Sequence, residues 1–401
     1  MVQGEKEKIL IAYYEMMMGG STTSLLAFLN CIDKSRYDVD LQLYRNRGVL
    51  FDSIPEGINV LPAAAKYESK TGRLLKYVLG ALTGTLIKAR LVNWKLHKRG
   101  YSQQIMSGFQ AKWLSTGSSK QYDYAIGFLE GWSDRYVAFR VKAKKKFGWM
   151  HSTFENIVPD PNLERPWMKK VDHVVFVADN CTDDFCKAMP DMAEKAITIR
   201  NIVDSQMIRQ RALQSDEADA EYVSFRDAEC FKMITVCRID VCIKGLDRAI
   251  ACARKLKADG KRFLWLIVGD SPQLETLRQM IAEADVADCM RAIGNRLNPL
   301  PFVKEADVFC LPSRYEGKPM VITESMIVGV PPVVTRYLSA EDQIRNDVEG
   351  IIVENEDDAI TEALLNCMEH QEMLNSMKAC LLNHEYGNSA YMHDIEQKYL
   401  S

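Results

Sequence analysis

The sequence predicts an α/β protein of two doubly wound domains with parallel sheets, facing each other across a cleft. Three observations predict it. Short apolar runs alternate with helical patterns along most of the chain, as right-handed βαβ units require. The rhythm breaks once, around the polar, acidic stretch 214–221, and then restarts. The length, 401 residues, is too great for one ordinary core and comfortable for two. Residues 1–204 are expected to form the first domain and 205–379 the second, with the C-terminal segment 380–401 packing back on the first.

The elements follow in order. KILIAYY (8–14) reads as a buried strand, followed by a Gly19-Gly20 turn and an apolar helical stripe. YDVDLQLY (37–44), INVLPA (58–63), YDYAIGFL (122–129), KKFGWMH (145–151), HVVFVA (173–178) and AITIRNI (196–202) complete the first series. KMITVCRI (232–239), RFLWLIVGD (262–270), MRAIG (290–294), ADVFCLPS (306–313), VPPVVT (330–335) and GIIVE (350–354) form the second. Helical patterns such as LDRAIACARKLKADG and LETLRQMIAEA lie between them. Ligands of such folds bind at the carboxyl ends of the strands, so the chemistry is sought in the loops that leave them.

Bulk properties narrow the function. Hydrophobic residues make up 47% and charged residues 26%, which gives no reason to expect a long disordered region. A net charge of −3 supplies no general pull towards nucleic acid. The 11 cysteines contain no C-x-x-C pair, and the closest spacings are Cys181/Cys186 and Cys237/Cys242. That pattern fits reduced thiols in a cytoplasm, and no metal site is expected. MVQGEKEKILIAYY lacks the apolar core of a signal peptide, and no apolar run approaches the roughly 18 residues of a spanning helix. Neither a leader nor a membrane span is therefore expected.

Four strand exits carry candidate chemistry. Gly19 and Gly20 let a ligand approach the backbone at a helix start, although a plain tight turn has the same look. Arg238 and Lys244 bracket the loop after the first strand of the second series. A guanidinium fork and an ammonium point charge there suit a diphosphate; two solvated surface cations are the alternative. In SRYEGKPMVITES (313–325), Gly317 permits a sharp turn and Pro319 is expected at the first helical position, where it has no N–H to lose. Backbone N–H groups of Gly317, Lys318, Met320 and Val321 would face an anion, with Glu316 and Glu324 on either side and Gly329 ending the helix. If the eight positions between the two acids were helical they would span about 12 Å, the length of a sugar-diphosphate-ribose unit. His151, at the last strand exit, is the lone histidine of FGWMHSTFEN, and packing is its commoner fate.

Taken together, R-x5-K-G, N-P and S-R-Y-E-G-K-P-x4-E resemble the retaining glycosyltransferases of family 4, which have the two-domain, Rossmann-like GT-B fold. GGSTTSLL, YDYAIGFLEG, KKFGWMHS, IRNIVD, LWLIVGD and NPLPFVKEADVFCLPSRYEGKPMVITESMIVGVPPVVT extend the resemblance in order over most of the chain. The subtype is most similar to transferases of bacterial capsular or other surface polysaccharide assembly. The resemblance implies transfer of a sugar from a nucleotide-diphosphate sugar, with a UDP-sugar favoured, to a glycan or lipid-linked glycan, without a cofactor or a metal ion. It implies that Arg238 and Lys244 hold the donor diphosphate, that Glu324 binds the ribose hydroxyls, and that Glu316 contacts the donor sugar. Gly317, Lys318, Pro319 and Met320 would lie near the phosphate, Gly19 and Gly20 would close on it, and His151 would lie by the reacting sugar. Asn295 and Arg296 would border the base. Front-face attack, with the leaving phosphate taking the acceptor proton, would give retention. The sequence departs from the family pattern at Lys318, at Ser325 and in RYLSAEDQI (336–344), which lacks the usual glycine pair. A sugar-nucleotide-binding protein without transferase activity, or a GT-B epimerase, is the alternative. A binding-only protein is expected to have lost part of the set Arg238, Lys244, Glu316 and Glu324, and all four are present.

One further stretch stands apart. Residues 66–100 hold nine Lys or Arg against one acid, Glu68, a net of +8 in a chain of −3. Apolar residues and Trp94 interleave with these cations, and KAKKKF (142–147) would extend the patch. A basic amphipathic stretch suits an anionic membrane surface, here the inner face of the cell membrane, where a lipid-linked acceptor would present its sugar.

Overall fold

The computed structural model describes residues 6–17, 19–66, 78–85, 99–151, 154, 160–316, 318–337, 339–356 and 358–400. The chain divides into two compact units, Met1–Ile202 with Ser389–Ser401, and Val203–Asn388.

The first unit holds a seven-stranded sheet of order β3-β2-β1-β4-β5-β6-β7. Its strands are β1 (Glu7–Tyr13), β2 (Tyr37–Leu43), β3 (Ile58–Val60), β4 (Gln121–Gly127), β5 (Lys142–Met150), β6 (His173–Phe176) and β7 (Ala196–Thr198). All neighbours run parallel. The second unit holds a six-stranded parallel sheet of order β10-β9-β8-β11-β12-β13. Its strands are β8 (Phe231–Val236), β9 (Phe263–Val268), β10 (Met290–Gly294), β11 (Val308–Leu311), β12 (Pro332–Thr335) and β13 (Ile351–Val353).

Each apolar run singled out in the sequence lies on one of these strands. Helices cover both faces of a parallel sheet, so central strands are apolar throughout: every residue of β9, FLWLIV, is buried. Several strands are shorter than their apolar runs. INVLPA pairs only over Ile58–Val60, and ADVFCLPS only to Leu311, because Pro62 and Pro312 have no N–H for the ladder. β5 instead starts early, at Lys142, and takes in the lysines of KAKKKF. Lys144 pairs with Asp123 at 2.7 Å, Lys145 donates to the Tyr399 carbonyl at 3.2 Å, and Lys146 is partly buried. Lys144 and Lys145 thus have local partners, and Lys142 is exposed.

Each sheet has one switch point. From β1 the chain winds out through β2 and β3, then resumes at β4 on the other side of β1; β8 and β11 repeat this in the second unit. The loops after these paired strands therefore border the ligand-binding position of a doubly wound sheet. The C-terminal helix Tyr391–Tyr399 belongs to the first unit. Glu396 Oε1 accepts from the Asp33 amide at 2.9 Å, and the Leu400 carbonyl accepts from Tyr37 Oη at 2.8 Å.

Most cations of the basic stretch 66–100 lie outside the described residues, as does Gly317. Within that stretch, residues 78–82 are helical, and Leu82 is 80% exposed. Among the described residues, no helix is long and apolar enough to cross a membrane.

Candidate functional site

At the switch point of the second sheet, two loops are laced together. The loop after β8 carries Arg238 and Lys244 and ends at Gly245, which precedes the helix Leu246–Ala258. Gly245 has φ +61°, and a Cβ there would lie 1.9 Å from the Pro312 carbonyl oxygen of the loop after β11. Only glycine allows both that conformation and that approach. Lys244 Nζ reaches Glu316 Oε1 at 2.7 Å, and Ser313 Oγ donates to the same oxygen at 2.7 Å. Glu316 is buried, so the ammonium and the hydroxyl replace its lost hydration. Beneath them, burial pushes the Cys237 thiol up to about 12, against the pull of Lys244, which leaves it an inert part of the floor.

Arg314 completes the lacing, and nothing in the sequence motif marked it. Its amide donates to the Ile243 carbonyl at 2.9 Å, and Nη1 donates to the Cys242 carbonyl at 2.8 Å. The guanidinium also grips Asp247 with both arms, at 2.6 and 2.7 Å. Finding it needed the tertiary pairing of two loops 67 residues apart in sequence. Arg238 contrasts with both. It is exposed and makes no hydrogen bond or ion pair among the described residues. Lys318 is exposed likewise.

The helix of SRYEGKPMVITES begins later than expected. It runs Met320–Ile327, and Pro319 is its N-cap, with extended ψ of 120°, not its first helical residue. The helical rise thus applies to only part of the Glu316–Glu324 interval, and the 12 Å spacing argument does not describe it. No side chain caps this helix start, so Met320 and Val321 carry N–H groups of the kind that accept an anion. Gly329, at φ +82°, closes the other end: its amide bonds the Met326 carbonyl, and that of Val330 bonds the Ser325 carbonyl. RYLSAEDQI, without its glycine pair, holds the helix start in place. Gln343 Nε2 donates to the Pro319 carbonyl at 3.0 Å and to Thr323 Oγ1 at 2.8 Å, and Tyr337 Oη donates to Gln343 Oε1 at 2.8 Å.

Glu324 lies on this helix, partly buried. Burial pushes its carboxyl up, and the Arg211 guanidinium pulls it back. Asn295 is exposed after β10. Its neighbour Arg296 is tied down: it grips Asp219, donates to the Ile293 carbonyl at 2.7 Å and lies over the Phe302 ring. Arg296 therefore shapes the loop rather than presenting a free cation.

The first unit gathers a different set at its own switch point. Gly19, the N-cap of the helix Gly20–Cys31, has extended φ of 166°, which any residue adopts. A Cβ there would meet nothing within 4 Å among the described residues, so Gly19 leaves open space there. Tyr13 Oη lies 2.9 Å from Ser21 Oγ and 3.0 Å from Thr22 Oγ1 in the first turn of that helix. His151 directly follows β5. Its Nε2 lies 3.0 Å from the Phe128 carbonyl, which can only accept, so Nε2 carries the proton. Burial pushes its pKa down, with Glu130 opposing, so the ring is neutral near pH 7 and Nδ1 is an acceptor. The His151 amide donates to Glu130 Oε2 at 2.9 Å, and the Trp149 amide to the buried Asp134 at 3.0 Å. Glu130 and Asp134 thus fix the end of β5; sequence reading missed both. Among the described residues, no group of three His, Cys, Asp or Glu is placed to hold a metal ion.

Comparison with known proteins agrees with this geometry. Residues 226–380, which contain Arg238, Lys244, Arg314, Glu316 and Glu324, match the family model described as glycosyl transferases group 1. The amylovoran biosynthesis glycosyltransferase AmsK of Erwinia amylovora is 33% identical over 132 residues, 30% of this chain and 32% of that protein. The UDP-Gal:alpha-D-GlcNAc-diphosphoundecaprenol alpha-1,3-galactosyltransferase of Escherichia coli is 28% identical over 120 residues, 29% of this chain and 31% of that protein. The match thus spans about a third of the length of these curated relatives. Solved structures match over the full length at low identity. Anabaena Alr3699/HepE in complex with UDP-glucose aligns with a TM-score of 0.66 at 14% identity, covering 98% of this chain and 99% of that one. WaaG, a glycosyltransferase involved in lipopolysaccharide biosynthesis, aligns with a TM-score of 0.61 at 10% identity, covering 98% and 100%. Residues 226–380 thus match the glycosyl transferases group 1 family, in a chain whose fold is that of the GT-B glycosyltransferases.

Proposed function

We propose that the protein is a metal-independent, retaining glycosyltransferase of family 4. It moves a hexosyl group from a nucleoside diphosphate sugar to a glycan acceptor, lipid-linked, in surface polysaccharide synthesis. One observation carries the reading: Arg238, exposed and without a hydrogen bond or ion pair among the described residues, stands in the same switch-point loop as Lys244, which reaches Glu316 ahead of an uncapped helix start. A departing nucleoside diphosphate gains negative charge in the transition state. Preorganised cations and N–H dipoles stabilise that charge without reorganising. Lys244 is held by Glu316 until a diphosphate competes for it, and Glu324 is the acceptor for ribose hydroxyls. Neutral His151, with Nδ1 as acceptor, is assigned to a hydroxyl of the reacting sugar. The leaving phosphate takes the acceptor proton in a front-face attack.

The names of similar proteins support the substrate class. HepE was solved with UDP-glucose, and the Escherichia coli relative uses UDP-Gal and a diphosphoundecaprenol acceptor. Another relative, from Mycobacterium tuberculosis, is GDP-mannose-dependent, so the base is tested as well as the sugar. The basic stretch 66–100 is assigned to an anionic membrane surface on the cytoplasmic side, which brings the enzyme to a lipid-linked acceptor. The test incubates the protein with a panel of UDP-, GDP- and ADP-sugars, with and without lipid-linked acceptor extract, and follows free nucleotide and anomeric configuration. Acceptor-dependent release, a retained anomer and unchanged turnover in EDTA are expected. Release from no donor, or activity lost to EDTA and restored by magnesium or manganese, overturns the reading or its metal independence respectively.

A further inference from the structure

We infer that Glu130 is a substrate-binding residue of the first unit, whose second carboxylate oxygen accepts hydrogen bonds from the hydroxyls of an uncharged sugar of the acceptor glycan. The inference rests on the transferase reading above and adds a residue to which that reading gives no contact with substrate.

The placement comes from the backbone. Glu130 lies just past β4, in the loop between that strand and the helix Trp132–Arg140, beside the switch point of the first sheet. The loop is pinned on both sides of it. Before it, the Phe128 amide donates to the Ala12 carbonyl of β1 at 3.0 Å, and the Phe128 carbonyl holds His151 Nε2 at 3.0 Å. After it, Gly131 has φ +103°, which favours glycine, and its carbonyl accepts from Arg135 Nη1 at 2.8 Å. Arg135 is anchored in turn: its other arm lies on the buried Glu164, which also accepts from Gln104 Nε2 at 2.6 Å. The helix start can crowd the end of β4 because Gly127 has no side chain; a Cβ there would lie 2.7 Å from the Asp134 backbone. The Glu130 carboxylate is oriented as well, since Oε2 accepts from the His151 amide at 2.9 Å. A group held so by its surroundings is in place before a ligand arrives.

The chemistry follows from what the carboxylate lacks. Glu130 is half-buried, and among the described residues it pairs with no cation and Oε1 has no hydrogen-bond partner. A carboxylate only accepts, so Oε1 keeps its lone pairs for donors brought by a ligand. Those donors must come without negative charge, which the carboxylate would repel. Sugar hydroxyls meet both demands, and their bonds to a carboxylate are charge-assisted. The groups around it are of the same kind: the His151 ring, with Nδ1 as acceptor, and the Tyr13 hydroxyl beside Ser21 and Thr22. The donor diphosphate is assigned to the cations of the second unit, so the carboxylate of the first fits the uncharged acceptor glycan.

The test uses the full-length protein, the donor that wild type turns over, and an extract of lipid-linked glycans titrated as acceptor. Glu130→Gln keeps the shape and an oxygen for the His151 amide, and removes only the charge. A residue that merely holds that amide loses little by this change. Charge-assisted hydrogen bonds are about twice as strong as neutral ones, so the half-saturating extract concentration should rise about tenfold in Glu130→Gln. The KM for donor and the calorimetric affinity for the matching nucleoside diphosphate should stay at wild-type values. Glu130→Ala, which loses both contacts, should need still more extract. Melting curves establish that each variant is folded. A wild-type extract requirement in folded Glu130→Gln overturns the inference. A donor KM raised as much as the extract requirement moves Glu130 to the donor sugar and overturns the acceptor assignment. A wild-type protein that releases nucleotide from no donor overturns the transferase reading, and this inference with it.

Discussion

The carboxyl edges of the two sheets occupy the same topological position and are built differently. At β8 and β11 the loops are held by charge: Lys244 on Glu316 and Arg314 on Asp247. One cation, Arg238, stands outside that lattice. At β1, β4 and β5 charged and neutral groups are mixed: Glu15 pairs with Arg47 at 2.8 Å and Glu130 holds the His151 amide, beside uncharged contacts. His151 donates to a carbonyl, Tyr13 meets two hydroxyls, and Gly19 leaves an opening. Burial also pushes the Asp134 carboxyl up, with the Arg135 guanidinium opposing. A charge lattice with an exposed cation suits an anion, and a polar edge with a neutral histidine suits hydroxyls. The comparison teaches that chemistry divides between the units by local electrostatics, since their topology is alike.

The largest effect expected is at Lys244. Lys244→Ala should lower donor turnover by at least about tenfold, because a lost contact to developing charge is worth more than about 1.4 kcal/mol. It also strands a buried Glu316, so the melting temperature should fall by about 2–4 °C for each kcal/mol lost. Arg238→Ala should lose turnover similarly yet melt like wild type, since it is exposed and has no hydrogen bond or ion pair among the described residues. Even Arg238→Lys should be impaired, because the fork is gone. Equal melting losses for both alanine variants, or wild-type turnover in either, would erase the distinction between lattice and spare cation.

Next in size are the two glycines. Gly245→Ala forces a Cβ to 1.9 Å from a carbonyl oxygen at φ +61°, and should cost about 2 kcal/mol or more in chemical denaturation. Gly19→Ala meets no atom and no strained backbone, so its stability should stay within about 0.5 kcal/mol. Gly19→Phe should be equally stable but poorly active if the opening admits ligand. Full activity in Gly19→Phe would show that the opening is not used.

The smallest effect on the second unit is expected from changes in the basic stretch of the first. Lys95, Lys98 and Arg99 each changed to Glu should release the protein from anionic vesicles while leaving nucleotide affinity unchanged. Wild-type binding should weaken as salt rises and the Debye length shortens. Equal sedimentation with neutral and anionic vesicles at low salt would refute the membrane assignment.

Legibility also differed between the units. The second unit advertised its site in short, ordered motifs, because its cations, turn glycine and two acids sit on contiguous loops. Even there, Glu316 could be named while its engagement with Lys244 and Ser313 could not, since those partners meet only when β8 and β11 lie side by side. Arg314 was invisible for the same reason: a surface-type arginine in a polar run looks like any other until packing gives it partners. In the first unit, His151 stood out, while Glu130 lay in YDYAIGFLEG without an assigned role and Asp134, which also fixes the strand end before it, lay outside the motifs.

What the sequence determined by itself is the series of thirteen strands, their placement in two sets and the residues that leave their ends. Strands buried on both faces must be apolar along their length, and that demand is written locally. What tertiary structure alone decided is which loop meets which. β8 was set against β11 across 75 residues, as the Thr235 hydroxyl on the Cys310 carbonyl shows at 2.6 Å. That adjacency turned Lys244 and Arg314 into one lattice and left Arg238 outside it. Hydrophobic patterning is a property of neighbours along the chain, whereas the pairing of buried charges depends on neighbours in space.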